Sequence, residues 1–249
     1  MRALLSEEVA GALRARIMSG ELRPGARIRL EEVAAGLGVS ITPVREALLT
    51  LRGEDMVELE PRKGYVVAPL SRQDILDVFQ LQGDIAGELA ARVATGIGEA
   101  QLAELRVAHS KVARARRAAD VEAYEYEFHR AVNRMSRSRK LSWFLHTATR
   151  YTPARVYSAD PGWREGMRAD HEAVLAAFAA ADADAARTAM TRHFTDGAER
   201  LVKHLDDLGI WDSPITVRGA GGTASTPAAS PSGPGPAASD PSARRTVAG

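Results

Sequence analysis

The 249-residue chain contains no cysteine, which excludes disulfide bonds and any metal site built on thiolates. Aromatic residues make up only 5% of it, and Ala and Arg recur throughout, so we expect helices rich in Ala and Leu. No apolar run reaches the roughly 18 residues of a membrane-spanning helix, and the N-terminal segment lacks the apolar stretch of a signal peptide. We therefore expect a cytoplasmic protein without a membrane partner.

An excess of positive or negative charge is also lacking, because the formal net charge is only +1. Residues 1–70 contain ten Lys or Arg and ten Asp or Glu. The overall balance therefore does not predict a nucleic-acid partner, and any attraction to DNA must come from how the charges are arranged. The content of 45% hydrophobic and 26% charged residues is typical of a globular protein.

The last part of the chain is low in apolar residues. From about Ser213 it reads "GAGGTASTPAASPSGPGPAASDPSARR", in which Gly, Pro, Ser and Ala dominate. Such a segment cannot bury enough apolar surface to order itself. We predict a disordered tail over 211–249.

Residues 1–70 show signals for three short helices and a hairpin. Ser6 is a candidate N-cap for a helix that ends near Gly20, and a second helix ends at Gly38. Thr42 is a candidate N-cap with Pro43 at the first helical position of a third helix. "MVELE" and "GYVVA" flank the basic turn "PRKG", which predicts two paired strands. This order predicts a winged helix-turn-helix.

From residue 71 to about 210 the pattern is helical throughout, so the fold class is mainly α. "SRQD" is a capping box that opens a helix through about Thr95. Further helical runs cover about 99–118, 121–136, 139–151, 162–180 and 183–208. Six helices over this length predict an all-α bundle.

The predicted third helix of the N-terminal domain is a candidate DNA reader, because the second helix of a helix-turn-helix meets base edges with its N-terminal end. Hydroxyl and guanidinium groups there suit phosphates and bases, and the hairpin tip adds a cation and a glycine. The alternative is an ordinary surface on which Arg45 pairs with Glu46 or Glu8. The candidate DNA-contacting residues are Ser40, Thr42, Pro43, Arg45, Lys63 and Gly64.

Two of the six histidines are predicted to face each other. His171 and His193 lie on apolar stripes of two successive helices, and each is 11 residues from Asp182, where the helices join. At ~1.5 Å per residue, both imidazoles stand about 16 Å from the turn of an antiparallel helix pair. Glu125 and His129, four residues apart, share one face of another helix. Taken singly, each histidine is more simply a satisfied core residue.

If the helix of Glu125 and His129 packs against that pair, one carboxylate and three imidazoles converge. This donor set suits a borderline divalent ion such as Zn²⁺, Ni²⁺ or Mn²⁺ and leaves room for water or a ligand. The sequence therefore predicts a metal site formed by Glu125, His129, His171 and His193.

Both halves of the chain resemble a known family. "GELRPGARI", "LGVS", "TPVREAL" and "KGYVV" occur in the order found in the DNA-binding domain of the GntR family of bacterial transcription regulators. One departure is Ile41, where the family commonly has Arg. The helical half resembles the FCD effector domain of the FadR subfamily, through "EYEFHRAV" and "DHEAVLAAFAAADADAARTAMTRHF".

The resemblance implies a metal held by Glu125, His129, His171 and His193, with small carboxylates at its open positions. The family more often has Asp in place of Glu125, and Ser138 stands where Asn is usual. Gln82 and Ala86 replace the Arg and Glu of an "R-x-x-L-E" pattern, which removes an anchor for a ligand carboxylate. Gln82 remains a candidate hydrogen-bonding residue for an effector.

The function expected from these features is a homodimeric regulator that binds double-stranded operator DNA and responds to a small-molecule effector. The resemblance implies repression that the ligand relieves. One alternative is a regulator for which the ion itself is the signal. Another is a metal-dependent enzyme with Glu125 or Glu172 as general base, although the N-terminal reader would then have no role.

Overall fold

The structure is a computed structural model that describes residues 2–212. In chain order its elements are α1 (Arg2–Met18), α2 (Leu30–Leu37), α3 (Ile41–Gly53), β1 (Val57–Glu60), β2 (Gly64–Val67), α4 (Arg72–Ala94), α5 (Glu99–Arg114), α6 (Ala118–Met135), α7 (Arg139–Thr149), α8 (Ala154–Ala159), α9 (Pro161–Ala179), α10 (Ala183–Asp207) and a short 3-10 turn (Ile210–Asp212). The tail predicted over 211–249 lies outside the described residues, apart from its first two positions. None of the described helices is long and apolar enough to cross a membrane.

The first three helices and the two strands form a winged helix-turn-helix, which confirms the predicted class of the N-terminal part. β1 and β2 pair antiparallel, with Val57 opposite Val67 and Glu60 opposite Gly64. The segment before α2 joins this hairpin, since the amide of Ile28 donates to the carbonyl of Tyr65 at 2.8 Å. The wing is therefore tied to the body of the domain on its inner edge.

Two helix starts differ from the sequence prediction. α1 begins at Arg2, so Ser6 lies inside the helix rather than at its N-cap. α3 begins at Ile41, with the extended Ser40 before it and no side-chain capping bond. Thr42 is therefore not the N-cap, and Pro43 is the third residue of the helix. That position is still within the first turn, where the amide hydrogen that proline lacks has no helical partner.

The bundle contains seven helices between Arg72 and Asp207, one more than predicted. The additional helix, α8, is six residues long and too short to produce a recognisable apolar period. The predicted capping box is confirmed, because the Ser71 hydroxyl accepts from the Asp74 amide and the Asp74 carboxylate accepts from the Ser71 amide.

α4 and α10 pack closely because glycines face the contact. A Cβ added at Gly87 would collide with the Thr191 hydroxyl and lie 3.0 Å from the carbonyl oxygen of Arg187. A Cβ at Gly83 would lie 3.2 Å from the carbonyl oxygen of Thr191. His193 lies on α10. The contact with α4 therefore fixes the position of one candidate metal ligand.

The apolar core is continuous from the DNA-binding domain into the bundle. Leu13 and Leu48 of the N-terminal helices are buried in one cluster with Phe79, Tyr157 and Leu201. A second cluster fills the rest of the bundle between α4, α5, α6, α9 and α10. Burial of this kind stabilises the two parts together, and packed side chains connect the bundle to the helices of the DNA-binding domain.

Candidate functional site

Three helices bring the four predicted metal ligands together. α6 carries Glu125 and His129, α9 carries His171, and α10 carries His193. One ligand atom from each lies within 4.8 Å of all the others. The ring centroids of His171 and His193 are 5.2 Å apart, as the equal spacing from Asp182 predicts.

The carboxylate of Glu125 contacts all three imidazoles of this cluster. Its Oε1 is 3.1 Å from Nε2 of His129 and 3.2 Å from Nε2 of His193. Its Oε2 is 3.5 Å from Nε2 of His171. The extra methylene of Glu relative to the more common Asp therefore leaves the carboxylate within reach of every partner.

Unsatisfied polar atoms show that this cluster suits a cation. His171 is fully buried and stacks on Phe128 with a centroid distance of 3.9 Å. Neither of its ring nitrogens has a hydrogen-bond partner among residues 2–212, and the same holds for Oε2 of Glu125. Buried polar atoms without partners are rare in proteins. Nitrogen and carboxylate donors at this spacing fit a divalent ion.

Burial and neighbouring charges set the protonation of the cluster. Burial lowers the pKa of His171 to about 4, and Glu125 only partly offsets that effect. Burial alone would raise the pKa of Glu125, but His171 and His129 hold it well below its usual value. For His193, burial lowers the pKa, yet Asp170 and Glu125 outweigh burial and raise it to about 9. Near neutral pH the metal-free cluster therefore holds a carboxylate beside a protonated His193.

Asp170 supports His193 from the side away from the cluster, and the sequence did not identify it. Its Oδ2 lies 3.6 Å from Nδ1 of His193. Its Oδ1 accepts hydrogen bonds from Nε and Nη2 of Arg192 at 3.0 and 2.8 Å. A carboxylate behind a ligating imidazole orients the ring and increases its basicity. The only sequence signal was its position next to His171.

The cluster opens into a cavity of about 870 Å³ between α6, α7 and the later helices. Glu125, His129 and His193 line it, whereas His171 lies behind them. Its apolar wall includes Phe79, Leu145, Tyr157, Trp163 and Phe194. This volume falls in the range of sites for small organic molecules.

Gln82 does not line this cavity. Its side chain is fully buried, and its Nε2 donates to the carbonyl of Ala148 at 3.0 Å. Its Oε1 accepts from the Thr152 hydroxyl at 3.1 Å. Gln82 thus links α4 to the end of α7 and the segment that follows. Ala86, at the other altered position of the family pattern, is buried in the bundle core.

The predicted DNA reader presents its polar residues to solvent. Ser40, Thr42 and Arg45 are exposed at the N-terminal end of α3, while Pro43 is buried under them. Among the described residues no ion pair joins Arg45 to Glu8. The DNA-contacting role of Arg45 stays a prediction.

The wing tip combines basic side chains with a left-handed backbone. Lys63 is exposed and pairs with Glu60 at 2.7 Å. Gly64 and Arg62 have φ of 81° and 70°, and glycine adopts that region without strain. Arg62 is exposed beside Lys63, and it is a further cation at the tip that sequence reasoning did not single out.

The fold and these surfaces define a class, a winged helix-turn-helix protein with an attached helical bundle. Comparison with known proteins agrees with it. Residues 5–67 match the bacterial regulatory proteins of the gntR family, and residues 77–196 match the FCD domain. An uncharacterised HTH-type transcriptional regulator in an unstable DNA locus of Streptomyces ambofaciens is 30% identical over 213 residues, which cover 81% of this chain and 88% of that protein.

Two further similarities point the same way. The HTH-type transcriptional repressor GlaR of Escherichia coli is 31% identical over 94 residues, which cover 37% of this chain and 43% of GlaR. The structure of E. coli McbR/YncC has the same fold, with a TM-score of 0.61 at 22% identity, over 80% of this chain and 97% of that one. The chain belongs to the GntR family of transcriptional regulators and carries an FCD domain. It is therefore a transcriptional regulator and not an enzyme.

Proposed function

We propose that this chain is a homodimeric repressor whose binding to operator DNA is relieved by a small carboxylate bound at a metal centre in the helical domain. The observation that carries the proposal is the convergence of Glu125, His129, His171 and His193 within 4.8 Å at the edge of a large cavity. GntR-family regulators bind operator DNA and are usually dimers with small-molecule effectors, and FCD domains often bind metal. The repressor assignment is supported by the name of the relative GlaR.

In this proposal α3 and the wing hold the DNA. The exposed Ser40 and Thr42 provide hydroxyls for phosphates, and Arg45 is available for a guanine edge or a phosphate. At the wing tip, Lys63 provides a cation for a DNA phosphate. Gly64 has no side chain, so the wing can approach the DNA backbone closely. Two copies are needed because operators of such proteins contain two half-sites that mirror the symmetry of the dimer.

The four cluster residues would hold a divalent ion, Zn²⁺, Ni²⁺ or Mn²⁺. The bound ion supplies Lewis acidity and open coordination positions for a carboxylate. Asp170 and Arg192 hold His193 in place, and His171 is kept neutral by burial so that its nitrogen lone pair is free. His193 must release its proton before it can bind a cation.

Arg150 supplies a route from the cavity to the DNA reader. It lines the cavity at the end of α7. Its guanidinium pairs with Glu7 of α1 and lies 3.5 Å from Glu54, next to α3. Glu54 is also held by Arg14, at 2.8 and 2.9 Å. A ligand that moves Arg150 therefore changes the contacts that position α1 and α3, which is how a population shift would reach the DNA.

A regulator that senses the ion itself is the second candidate. The ligands come from α6, α9 and α10, so an ion alone would clamp three helices. Chelation of the metal in the absence of any organic acid distinguishes the two. If chelation alone changes the affinity for DNA, the ion is the signal. If the affinity for DNA changes only when the organic acid is also present, the ion is a cofactor for binding the acid.

The test uses full-length protein and DNA fragments that it selects from a random pool. We expect His171→Ala to lose bound zinc while non-specific DNA binding is kept, and His146→Ala, which lies in the same cavity outside the cluster, to keep both. We expect Arg45→Ala to lose the selected DNA and keep its zinc. Unchanged zinc stoichiometry in His171→Ala refutes the metal centre, and wild-type DNA affinity in Arg45→Ala refutes the reader.

A further inference from the structure

The cavity carries positive charge, part of which no carboxylate among residues 2–212 pairs with. Five arginines line it. Two are paired, Arg134 with Glu104 and Arg150 with Glu7 and Glu54. The guanidinium groups of the other three, Arg130, Arg137 and Arg139, have neither an ion pair nor a hydrogen bond within residues 2–212.

Two of these arginines, Arg137 and Arg139, stand at the α6–α7 end of the cavity, whereas Arg130 follows His129 on α6. The lining residues on α6 follow the helical period through Glu125, His129 and Asn133, and Arg137 continues that line in the turn that follows. Met135, the last residue of α6, is six residues beyond His129, which is about 9 Å along the helix, and Arg137 follows two residues later. The cationic end is therefore the α6–α7 turn, roughly two turns of helix away from the candidate metal centre.

The local backbone places these cations at the cavity. Arg137 has φ of 53°, a left-handed conformation that residues other than Gly, Asn and Asp seldom adopt. It reverses the chain so that Arg139 begins α7. The first turn of α7 contains no acidic residue, so its positive dipole end adds to the same field. Strained residues at a cavity are a sign of function when the rest of the fold holds them there.

The acidic residues of the cavity do not balance this end. Glu122 is engaged by the Ser158 hydroxyl at 2.7 Å, and Glu125 belongs to the histidine cluster. Apolar side chains flank the cluster, with Phe194 at 5.6 Å from His129 and Trp163 at 6.4 Å from His193 between ring centroids. The cavity thus offers a cation site, an apolar wall and a separate guanidinium group.

We infer that the ligand of this cavity is an anion with two charged ends. One carboxylate reaches the metal centre, and the second is bound by Arg137 and Arg139 at the α6–α7 turn. Guanidinium groups bind carboxylates in a bidentate manner. These residues take the place of the arginine expected at position 82, where Gln82 is committed to Ala148 and Thr152. The inference rests on the proposed metal centre and specifies its ligand class.

The test compares diacids with monoacids of equal length on zinc-loaded full-length protein. Isothermal titration with succinate, adipate and suberate is set against butyrate, hexanoate and octanoate at low ionic strength. We expect at least one diacid to bind about tenfold more tightly than its monoacid, the size of one charge-assisted hydrogen bond. The preference should decrease as salt is added, because the arginines are exposed.

Variants assign the preference to the turn. Asn is chosen to replace Arg137 because it tolerates the left-handed backbone. The double variant Arg137→Asn with Arg139→Gln should have no preference for diacids over monoacids. Arg134→Gln, which removes a paired arginine of the same cavity, should keep it. Equal binding of diacid and monoacid by wild type, or a preference that survives in the double variant, overturns the inference.

Zinc content measured on each sample separates this inference from the function on which it rests. Protein that holds zinc but shows no diacid preference overturns the two-ended ligand and leaves the metal centre standing. Protein that cannot be loaded with zinc overturns both.

Discussion

Asp170 and His193 form a charged pair behind the candidate metal centre. Both side chains are buried, and the pKa of His193 is raised to about 9 with Asp170 and Glu125 as its partners. A His whose pKa rises on folding stabilises the folded state below its unfolded pKa of 6.5, and that contribution is lost as pH rises through 9. A metal ion bound to His193 would compete with the same proton, and the pair would then couple stability, pH and metal affinity.

This coupling predicts a pH window. We expect metal-free protein to lose stability between about pH 6.5 and 9, by no more than about 3 kcal/mol. Zinc affinity should rise over the same interval, because His193 must be deprotonated to bind. Thermal unfolding without metal and zinc titration across these pH values check both. A zinc affinity that is flat over the interval would contradict the role of His193.

Asp170→Asn should weaken zinc binding by about 10- to 100-fold, the usual effect of removing a carboxylate behind a ligating histidine. It should also move the pH window down, because the carboxylate that raises the pKa of His193 is gone. Glu172→Gln is the matched control, since Glu172 also neighbours His171 in sequence but is exposed. Competition with a zinc-binding dye measures the affinities. Equal losses in both variants would count against a specific role for Asp170.

At the residue scale, the sequence predicted contacts that depend on helical spacing. Glu125 and His129 share a face because they are four apart, and His171 meets His193 because both are 11 residues from the turn. Asp170 and the arginines of the α6–α7 turn escaped prediction. Asp170 contacts His193 and Arg192 of another helix, and the arginines line a cavity that several helices enclose. The spacing of residues along one helix does not specify how neighbouring helices are rotated.

Among the elements, the α4–α10 contact depends most on small residues. Gly83 and Gly87 let α10 approach α4, and the Thr191 hydroxyl donates across the contact to the carbonyl of Gly83 at 3.1 Å. Side chains at these glycines would push α10 away and take His193 with it. The helix pair that carries one candidate ligand is thus held by packing that leaves no room for a Cβ at Gly87 and little at Gly83.

Gly87→Ala should destabilise the protein by about 1–3 kcal/mol, the usual cost of overpacking, and should weaken zinc binding through His193. Gly11→Ala is the control within a helix, because a Cβ at Gly11 meets nothing within 4 Å. That substitution should stabilise the protein by about 0.5–1 kcal/mol, since alanine loses less entropy on folding. Urea unfolding measures both changes. A neutral Gly87→Ala would show that the contact is looser than described.

At the element scale, the number and order of long helices and the wing could be read from periodicity and capping signals. α8 could not, because six residues contain less than two helical turns. The starts of α1 and α3 were also wrong. Ser6 and Thr42 are good caps by residue type, but the helices begin before them, at Arg2 and Ile41.

In the whole molecule, the DNA reader and the cavity share a core and an ion-pair network. Phe79 and Tyr157 line the cavity and also belong to the core cluster of the N-terminal domain. Arg150 reaches from the cavity to Glu7 and Glu54. A ligand therefore has both an apolar and a charged connection to the helices that carry the reader.

Arg150→Met should uncouple ligand binding in the cavity from DNA binding by the reader. We expect zinc and acid binding to remain while the acid no longer changes affinity for the selected DNA, a loss of about 1–3 kcal/mol of coupling free energy. Arg134 lines the same cavity but pairs with Glu104 within the bundle. The control variant Arg134→Met should therefore keep the response of DNA affinity to the acid. Fluorescence anisotropy of labelled DNA with and without acid gives the coupling in each variant. A full response in Arg150→Met would exclude this route.

The central claim is that four side chains from three helices hold one metal ion. Anomalous X-ray diffraction at the zinc edge, from crystals of the full-length chain grown with zinc, tests it most directly. The account predicts one strong peak per chain, bonded to Glu125, His129, His171 and His193, and no such peak in His171→Ala. Density at this cluster without an anomalous signal, or zinc bound elsewhere in the wild-type chain, would contradict it.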